Sequence, residues 1–484
     1  MIPLLLFTPI GCALLAWAFR QPSAARILTL LCALTQLAST IALWMKAGAW
    51  QWTAFFRVDK LNILFLLILA LVFVSVSVYN FAFARQQKDA ISLGRILAYH
   101  IFLLLFVNAM NGVLLSTHLG LLWVFIEAST LTSAVLVCHY EGKASLEATW
   151  KYIFICSIGI SLAFIGIILL SLASVGINSL FFDTLCQNSE KISKFWLRMA
   201  FPFMLVGFGT KMGLAPGHNW LPDAHSEAPS PISAMLSATL LNAAFIGILR
   251  LDILMGCCGL GHYSRTLLIT MGVVSLFVSA VFIVRARNFK RMLAYSSIEN
   301  MGLLALGAGI GGLGLFAAML HMIGHSLSKA AFFLGSGNLY AIYHSKDISS
   351  VRGLLRRAPL SAWLWVASAL ALCAFPPFAT FISKFMLLST LIKQGHFVLL
   401  ALVMLLLTVI LYGLASNVFR MVFGEAPPEE HAHPMPIDAA HGLGFSSTAP
   451  QIFLLGIAAV IGIYIPGPVL TLLQGAAEFL KVAQ

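Results

Sequence analysis

Long apolar runs recur along the whole chain, parted by short polar or basic clusters, and this pattern predicts membrane-spanning helices. A run of about 18 residues or more crosses about 30 Å of hydrocarbon as a helix. In lipid every backbone polar group must be satisfied within the structure, which leaves helices or a closed barrel. The runs do not alternate with period two, so helices are expected. Fourteen spans are predicted, over roughly 2–19, 27–45, 61–81, 95–113, 115–138, 150–175, 197–220, 230–251, 266–286, 292–309, 312–341, 360–390, 396–422 and 450–476. The tightest joins lie between the fourth and fifth spans and between the tenth and eleventh. Met1 to Phe19 lacks a basic leading segment and a cleavage pattern, so it is expected as the first spanning helix and not a signal peptide.

Composition agrees with that pattern: the chain is 60% hydrophobic and 10% charged, too little charge to cover a soluble surface of 484 residues. The net charge of +12 sits in short clusters between apolar runs, so topology explains it better than nucleic-acid binding does. Basic residues are denser in loops after odd-numbered spans, as at Arg285, Arg287, Lys290 and Arg291 and again at Arg352, Arg356 and Arg357. The positive-inside rule then puts those loops in the cytoplasm and, with an even number of spans, both termini outside. None of the eight cysteines forms a C-x-x-C pair and most lie inside apolar runs, which argues against iron–sulfur or zinc ligation. No cofactor is therefore expected in this chain, and electrons would have to run elsewhere. The polar connection from Gly424 to Ser447 holds Glu425, Glu429, Glu430, His431, His433 and His441. A metal site there is possible chemically, but Pro427, Pro428, Pro434 and Pro436 keep the segment irregular, and a solvated loop is expected.

Charged residues inside apolar runs cost a few kcal/mol each and are functional candidates by default. Glu127 lies in the fifth span with no other acid within ten residues, either as a titrating carboxyl or as a structural one bonded to a neighbouring helix. Lys211 lies in the seventh span, and in apolar surroundings a lysine becomes able to release and regain a proton. Gly213, Pro216 and Gly217 follow it and should break the helix, freeing carbonyls to line a cavity. Lys384 lies in the twelfth span after a second break at Pro376 and Pro377. Corresponding broken segments in two halves are the mark of transporters built from repeated units. His321, His325 and Lys329 recur every four residues on one helix face of the eleventh span, a plausible proton relay. Zinc on the two histidines lacks a third ligand; ordinary core histidines are the other alternative. A Glu–Lys pair along this row supplies a switch, because the lysine holds its proton while the pair is closed and can release it when the pair opens.

Three stretches resemble a known family. Lys211 to Pro231 is similar to the signature K-x-x-x-x-P-x-H-x-W-L-P-D-A-H-x-x-A-P, Lys290 to Gly302 to K-R-x-L-A-Y-S-S-I-x-x-M-G, and His321 to Lys329 to H-x-x-x-H-x-x-x-K. The chain resembles the antiporter-like membrane subunits shared by respiratory complex I, membrane-bound nickel–iron hydrogenases and Mrp-type Na+/H+ antiporters, over about residues 90 to 420. The resemblance implies fourteen core helices in an all-α polytopic fold. Residues 1–90 would form helices one to three, and 91–255 and 264–424 two inverted five-helix repeats with broken helices seven and twelve. Residues 425–484 would form a polar loop and helix fourteen. It also implies a proton-translocation set of Glu127, Lys211, His218, His321, His325, Lys329 and Lys384, with Lys384 toward the external exit. Asn242 stands where many members carry a lysine or histidine; asparagine holds water but cannot titrate, which puts the central relay in doubt. The long lateral helix of complex I's most distal subunit is not expected.

Ser296 to Asn300 together with Asn242 look most like component F of hydrogenase-4 or formate-hydrogenlyase-type complexes. The function so implied is proton translocation by a membrane subunit of a redox-driven complex in the inner membrane. Its partners would be other membrane subunits and a soluble redox arm. The alternatives are a complex I subunit and an Mrp-type cation/proton antiporter subunit. Sodium needs several oxygen ligands, and a set dominated by lysine and histidine favours protons. A non-conducting scaffold is the third class, kept open by Asn242.

Overall fold

The computed structural model describes residues 1–46, 50–86, 91–140, 142–425 and 444–481. Within the polar loop, Glu429, Glu430, His431, His433 and His441 lie outside the described residues. The chain begins with helices α1 (Ile2–Phe19), α2 (Pro22–Met45) and α3 (Lys60–Gln86), with a hairpin of β1 (Trp50–Thr53) and β2 (Phe56–Val58) ahead of α3. Next come α4 (Leu93–Leu115), α5 (Leu119–Val137), α6 (Lys143–Ala173) and the short α7 (Phe182–Gln187). The first broken span comprises α8 (Lys194–Met212) and α9 (Trp220–Glu227). Helix α10 (Ser230–Met235) continues through a π-helical turn, Leu236–Leu240, into α11 (Leu241–Cys257). Then follow α12 (Gly261–Ile283), α13 (Phe289–Ile310), α14 (Leu313–Tyr343) and a short α15 (Leu354–Arg357). The second broken span comprises α16 (Pro359–Leu372) and α17 (Ala379–Lys393). Helices α18 (Phe397–Phe423), α19 (Phe445–Ile463) and α20 (Gly467–Lys481) follow.

The fold is all-α and polytopic, as expected. Among the described residues ten helices are long and apolar enough to cross a membrane, against the fourteen spans predicted. Two of the remaining spans are the broken ones. Two more, α13 and α14, have 22 and 31 residues but are diluted by the polar side chains that make them candidates for function, among them Glu299, Asn300, His321, His325 and Lys329. The predicted last span is in fact two helices, because Pro466 cannot continue α19. The tight tenth-to-eleventh join is made by Gly311 and Gly312, whose positive φ of 71° and 54° suits glycine.

Backbone bridges Phe56–Ser116 and His118–Phe181 gather the loops after the second, fourth and sixth spans at one end of the bundle. The bridge Asn288–Asp347 joins the loops after the ninth and eleventh. Alternation of the loops is thus built into the packing.

Burial separates core helices from lipid-facing ones. The most apolar window of the Ser230–Cys257 stretch is 100% buried inside the chain, whereas that of α18 is only 28% buried and turns Phe397, Leu405 and Tyr412 outward. Without a hydrophobic drive between helices in lipid, close packing rests on small residues. A Cβ added at Gly207 of α8 would lie 2.6 Å from both Ala163 N and Gly159 O of α6. Gly207→Val should therefore destabilise the protein by about 1–3 kcal/mol through overpacking. The check is thermal unfolding in detergent, where an unchanged midpoint would contradict this close crossing.

Candidate functional site

Lys211 sits one residue before the end of α8, which Gly213 terminates with φ +82°. At the break the Thr210 carbonyl accepts from Gly213 N at 3.1 Å and from Trp220 Nε1 at 2.8 Å, so the interruption is satisfied internally. Lys211 is fully buried. Its Nζ donates to Thr130 Oγ1 at 2.8 Å and Tyr152 Oη at 2.7 Å, and lies 4.8 Å from the Tyr152 ring centre. The Tyr152 hydroxyl in turn meets Ser133 Oγ at 2.6 Å.

Glu127 lies one turn before Thr130 on α5. Its Oε1 accepts from Ser157 Oγ at 3.2 Å, and its Oε2 is enclosed with no partner. No ion pair joins Glu127 to Lys211, so this pair is open, with hydroxyls holding the ammonium. Sequence order alone placed neither Thr130 nor Tyr152 at the lysine. His218, in the break itself, is buried and shares no hydrogen bond with the other candidates.

The second group straddles the π-helical turn, a feature often found at functional sites. Asn242 Nδ2 donates to Ala238 O at 2.8 Å and Ser326 Oγ at 2.7 Å, while its Oδ1 is enclosed and unpartnered. Next to Ser326, His325 is fully buried with both ring nitrogens unpartnered. The His321 and His325 rings lie 6.4 Å apart and nearly parallel, as their spacing predicted. Lys329 departs from the row. Its Nζ turns to α13, donating to Leu293 O at 2.5 Å and to Ser296 Oγ, and makes no hydrogen bond to His325.

The third group is the most connected. Lys384 Nζ donates to Glu299 Oε1 at 2.7 Å and to Leu372 O at 3.1 Å, the latter a carbonyl freed where α16 ends. The side chains of this ion pair are 11% and 3% exposed. His321 bridges the two helices that carry the pair: Nδ1 meets Ser383 Oγ at 2.9 Å and Nε2 meets Asn300 Oδ1 at 2.8 Å. A cavity of about 220 Å³ lies against the pair, walled by Phe381 and Phe385 of α17 and Met404 and Leu407 of α18. Glu299 was missed as a candidate. The rule that singled out Glu127, a lone acid in an apolar run, finds it too.

Direct hydrogen bonds do not join the three groups to one another. The orphaned Glu127 Oε2, Asn242 Oδ1, His325 nitrogens and Ser328 Oγ mark the intervals. Buried polar atoms of this kind are normally satisfied by ordered water. Among the described residues, no cluster of three or more His, Cys, Asp or Glu is arranged to hold a metal. Chemically, the arrangement can store and pass protons among lysines, histidines and two carboxylates.

The family described as "NADH:quinone oxidoreductase/Mrp antiporter, TM" matches residues 116–410. The "Hydrogenase-4 component F homolog" of Methylacidiphilum infernorum (isolate V4) is 34% identical over 436 residues, 88% of this chain and 89% of that one. In fold, the chain matches a subunit of the membrane-bound sulfane sulfur reductase, an archaeal respiratory membrane complex. That match has a TM-score of 0.85 and 24% identity and covers 99% of this chain and 97% of that one. A subunit of the Mrp complex from Dietzia sp. DQ12-45-1b superposes with a TM-score of 0.84 at 19% identity, over 100% and 99% of the two chains. The chain belongs to the NADH:quinone oxidoreductase/Mrp antiporter family of membrane proteins.

Proposed function

We propose that this chain is the proton-translocating membrane subunit of a redox-driven complex of the membrane-bound hydrogenase type. The observation that carries the reading is the pairing of a buried lysine with a broken helix in each half: Lys211 at the end of α8, held by Thr130 one turn along α5 from Glu127, and Lys384 beside the end of α16, bonded directly to Glu299. Similarity to a hydrogenase-4 component F homolog favours the hydrogenase type over complex I and Mrp assemblies. Residues 91–255 and 264–424 act as the two repeats, each with its own Glu–Lys switch: Glu127 with Lys211, and Glu299 with Lys384. The first is open here and the second closed, so Lys211 is the lysine free to release a proton and Lys384 the one that holds it. Asn242 passes no proton through its own side chain. It holds Ser326 beside His325, and transfer across the centre runs over bridging water. His321 connects the centre to the second switch, and Lys329 and His218 flank the route.

The loops rich in lysine and arginine face the cytoplasm and both termini face outward, across the inner membrane. No cofactor is assigned to this chain; electrons run through partner subunits. Purification in mild detergent with native partners, followed by mass spectrometry, tests the reading. Hydrogenase or formate dehydrogenase chains are the expected result. Quinone-reductase chains would make it a complex I subunit. Small antiporter subunits alone would discard the redox reading.

A further inference from the structure

Outside the three groups, His225 stands out among the described residues as a buried titratable side chain with no evident structural use. His225, in the last turn of α9, is 0% exposed and neither ring nitrogen has a partner. The ring packs on an apolar neighbour: it stacks on Phe333 of α14 with centroids 4.7 Å apart and planes at 21°. Lys329 Nζ lies 5.7 Å from the centre of the same Phe333 ring. A phenylalanine would make that stack without burying two polar nitrogens, so packing alone does not account for an imidazole here.

The two residues that follow His225 reach a polar cavity. Ser226 and Glu227 line a space of about 430 Å³ together with Arg287, Asn288, Arg291 and Asp347, at the end where the loops after the ninth and eleventh spans meet. The mouth is ordered by hydrogen bonds. Lys346 Nζ donates to Glu227 Oε2 at 3.0 Å, Asn288 Nδ2 to Ser226 Oγ at 3.0 Å, and Ser226 Oγ to Glu227 Oε1 at 3.1 Å. Lys290 of α13, 3% exposed, donates to Ala228 O at 2.9 Å just behind. Reading inward, the order is a solvent-facing carboxylate, a buried imidazole, and then Lys329 across one ring. The charged groups nearest His225 are Asp223 and Glu227, two residues to either side on its own helix, with Lys290 on α13 and Lys329 on α14.

We propose that His225 is the access residue of the second half, passing protons between the Glu227 cavity and Lys329. An imidazole suits the position because it takes a proton on one nitrogen and gives one up from the other, leaving itself unchanged after a ring turn. The free nitrogens are what such a step needs, since each must exchange partners. The proposal rests on the relay reading above.

The test uses the complex purified with its native partners and reconstituted in sealed vesicles, reading protons translocated per redox turnover with a pH-sensitive dye. His225→Phe keeps the stack on Phe333, and His225→Gln keeps polarity. Both are expected to lose translocation at least about tenfold while redox turnover persists. His225→Gly should lose it equally and regain it when imidazole is added on the side where the Glu227 cavity opens. Normal translocation by either His225→Phe or His225→Gln overturns the proposal. Loss that imidazole does not rescue also overturns it, by assigning a structural role. Lys211→Met, measured in parallel, separates the two claims. If it translocates normally, the relay reading itself fails; if it is inactive while the His225 variants are active, only the access proposal fails.

Discussion

Lys211→Ala should abolish coupled proton translocation while the chain still assembles with its partners. The lysine is fully buried and held by two hydroxyls, Thr130 Oγ1 at 2.8 Å and Tyr152 Oη at 2.7 Å. Those hydroxyls hydrogen-bond an ammonium but also bond each other or water once it is gone, so the fold survives. A positioned proton-transfer group contributes roughly 10²–10⁴-fold, and a loss of at least about 10²-fold is expected. Lys211→Arg sharpens the test. Guanidinium keeps the charge and the donors but does not release its proton, so it should assemble well and translocate as poorly as alanine. Full translocation by the arginine variant would show that the site needs only a fixed positive charge. The measurement is protons moved per redox turnover in sealed vesicles.

Glu299→Gln should cost both stability and translocation, and the two losses should separate in a second variant. Removing the carboxylate leaves the Lys384 ammonium buried without its counter-charge. Breaking a buried pair by one partner costs about 3–5 kcal/mol. The lower end, about 3 kcal/mol, is expected here, since the cavity of about 220 Å³ beside the pair can admit water. Adding Lys384→Met removes the stranded charge and should restore most of the thermal stability, because replacing both partners by apolar groups is often neutral. It should not restore translocation. A double variant that translocates normally would reduce the pair to a structural staple, and one that stays unstable would place the cost in packing.

Much of this was legible in the sequence because the bilayer imposes it. Continuous apolar runs have no option but helix, and Gly213 with Pro216 and Pro376 with Pro377 marked both breaks before any coordinates. The number of spans was harder to read. Length and hydropathy do not separate a helix sheathed by other helices, such as α14, from one facing lipid. Nor do they show that a proline at 466 divides the last run into α19 and α20. The π-helical turn at Leu236–Leu240 left no signal either, since all five residues suit an ordinary helix.

The candidate site was read in parts. Isolated charges in apolar runs found Glu127, Lys211 and Lys384, and helical spacing found the His321–His325 pair. Who bonds whom was not legible: Lys211 meets residues 81 and 59 positions away, and Lys384 meets Glu299 at 85. A Glu–Lys switch was expected without its partners: Glu127 and Lys211 share no ion pair, and the closed pair, Glu299 with Lys384, lies in the other half. Lys329 was expected to end a single-face relay. Its long chain instead reaches back to the carbonyl of Leu293, a choice that helical periodicity does not constrain.

Proton movement itself is the most direct test of the central claim. The complex, purified with its native partners and sealed into vesicles in sodium-free buffer, should acidify one compartment during redox turnover, and a protonophore should collapse that gradient. Acidification without sodium, lost in Lys211→Ala, is the predicted result. Redox turnover with no proton gradient, or a gradient that forms only when sodium is present, would contradict the account.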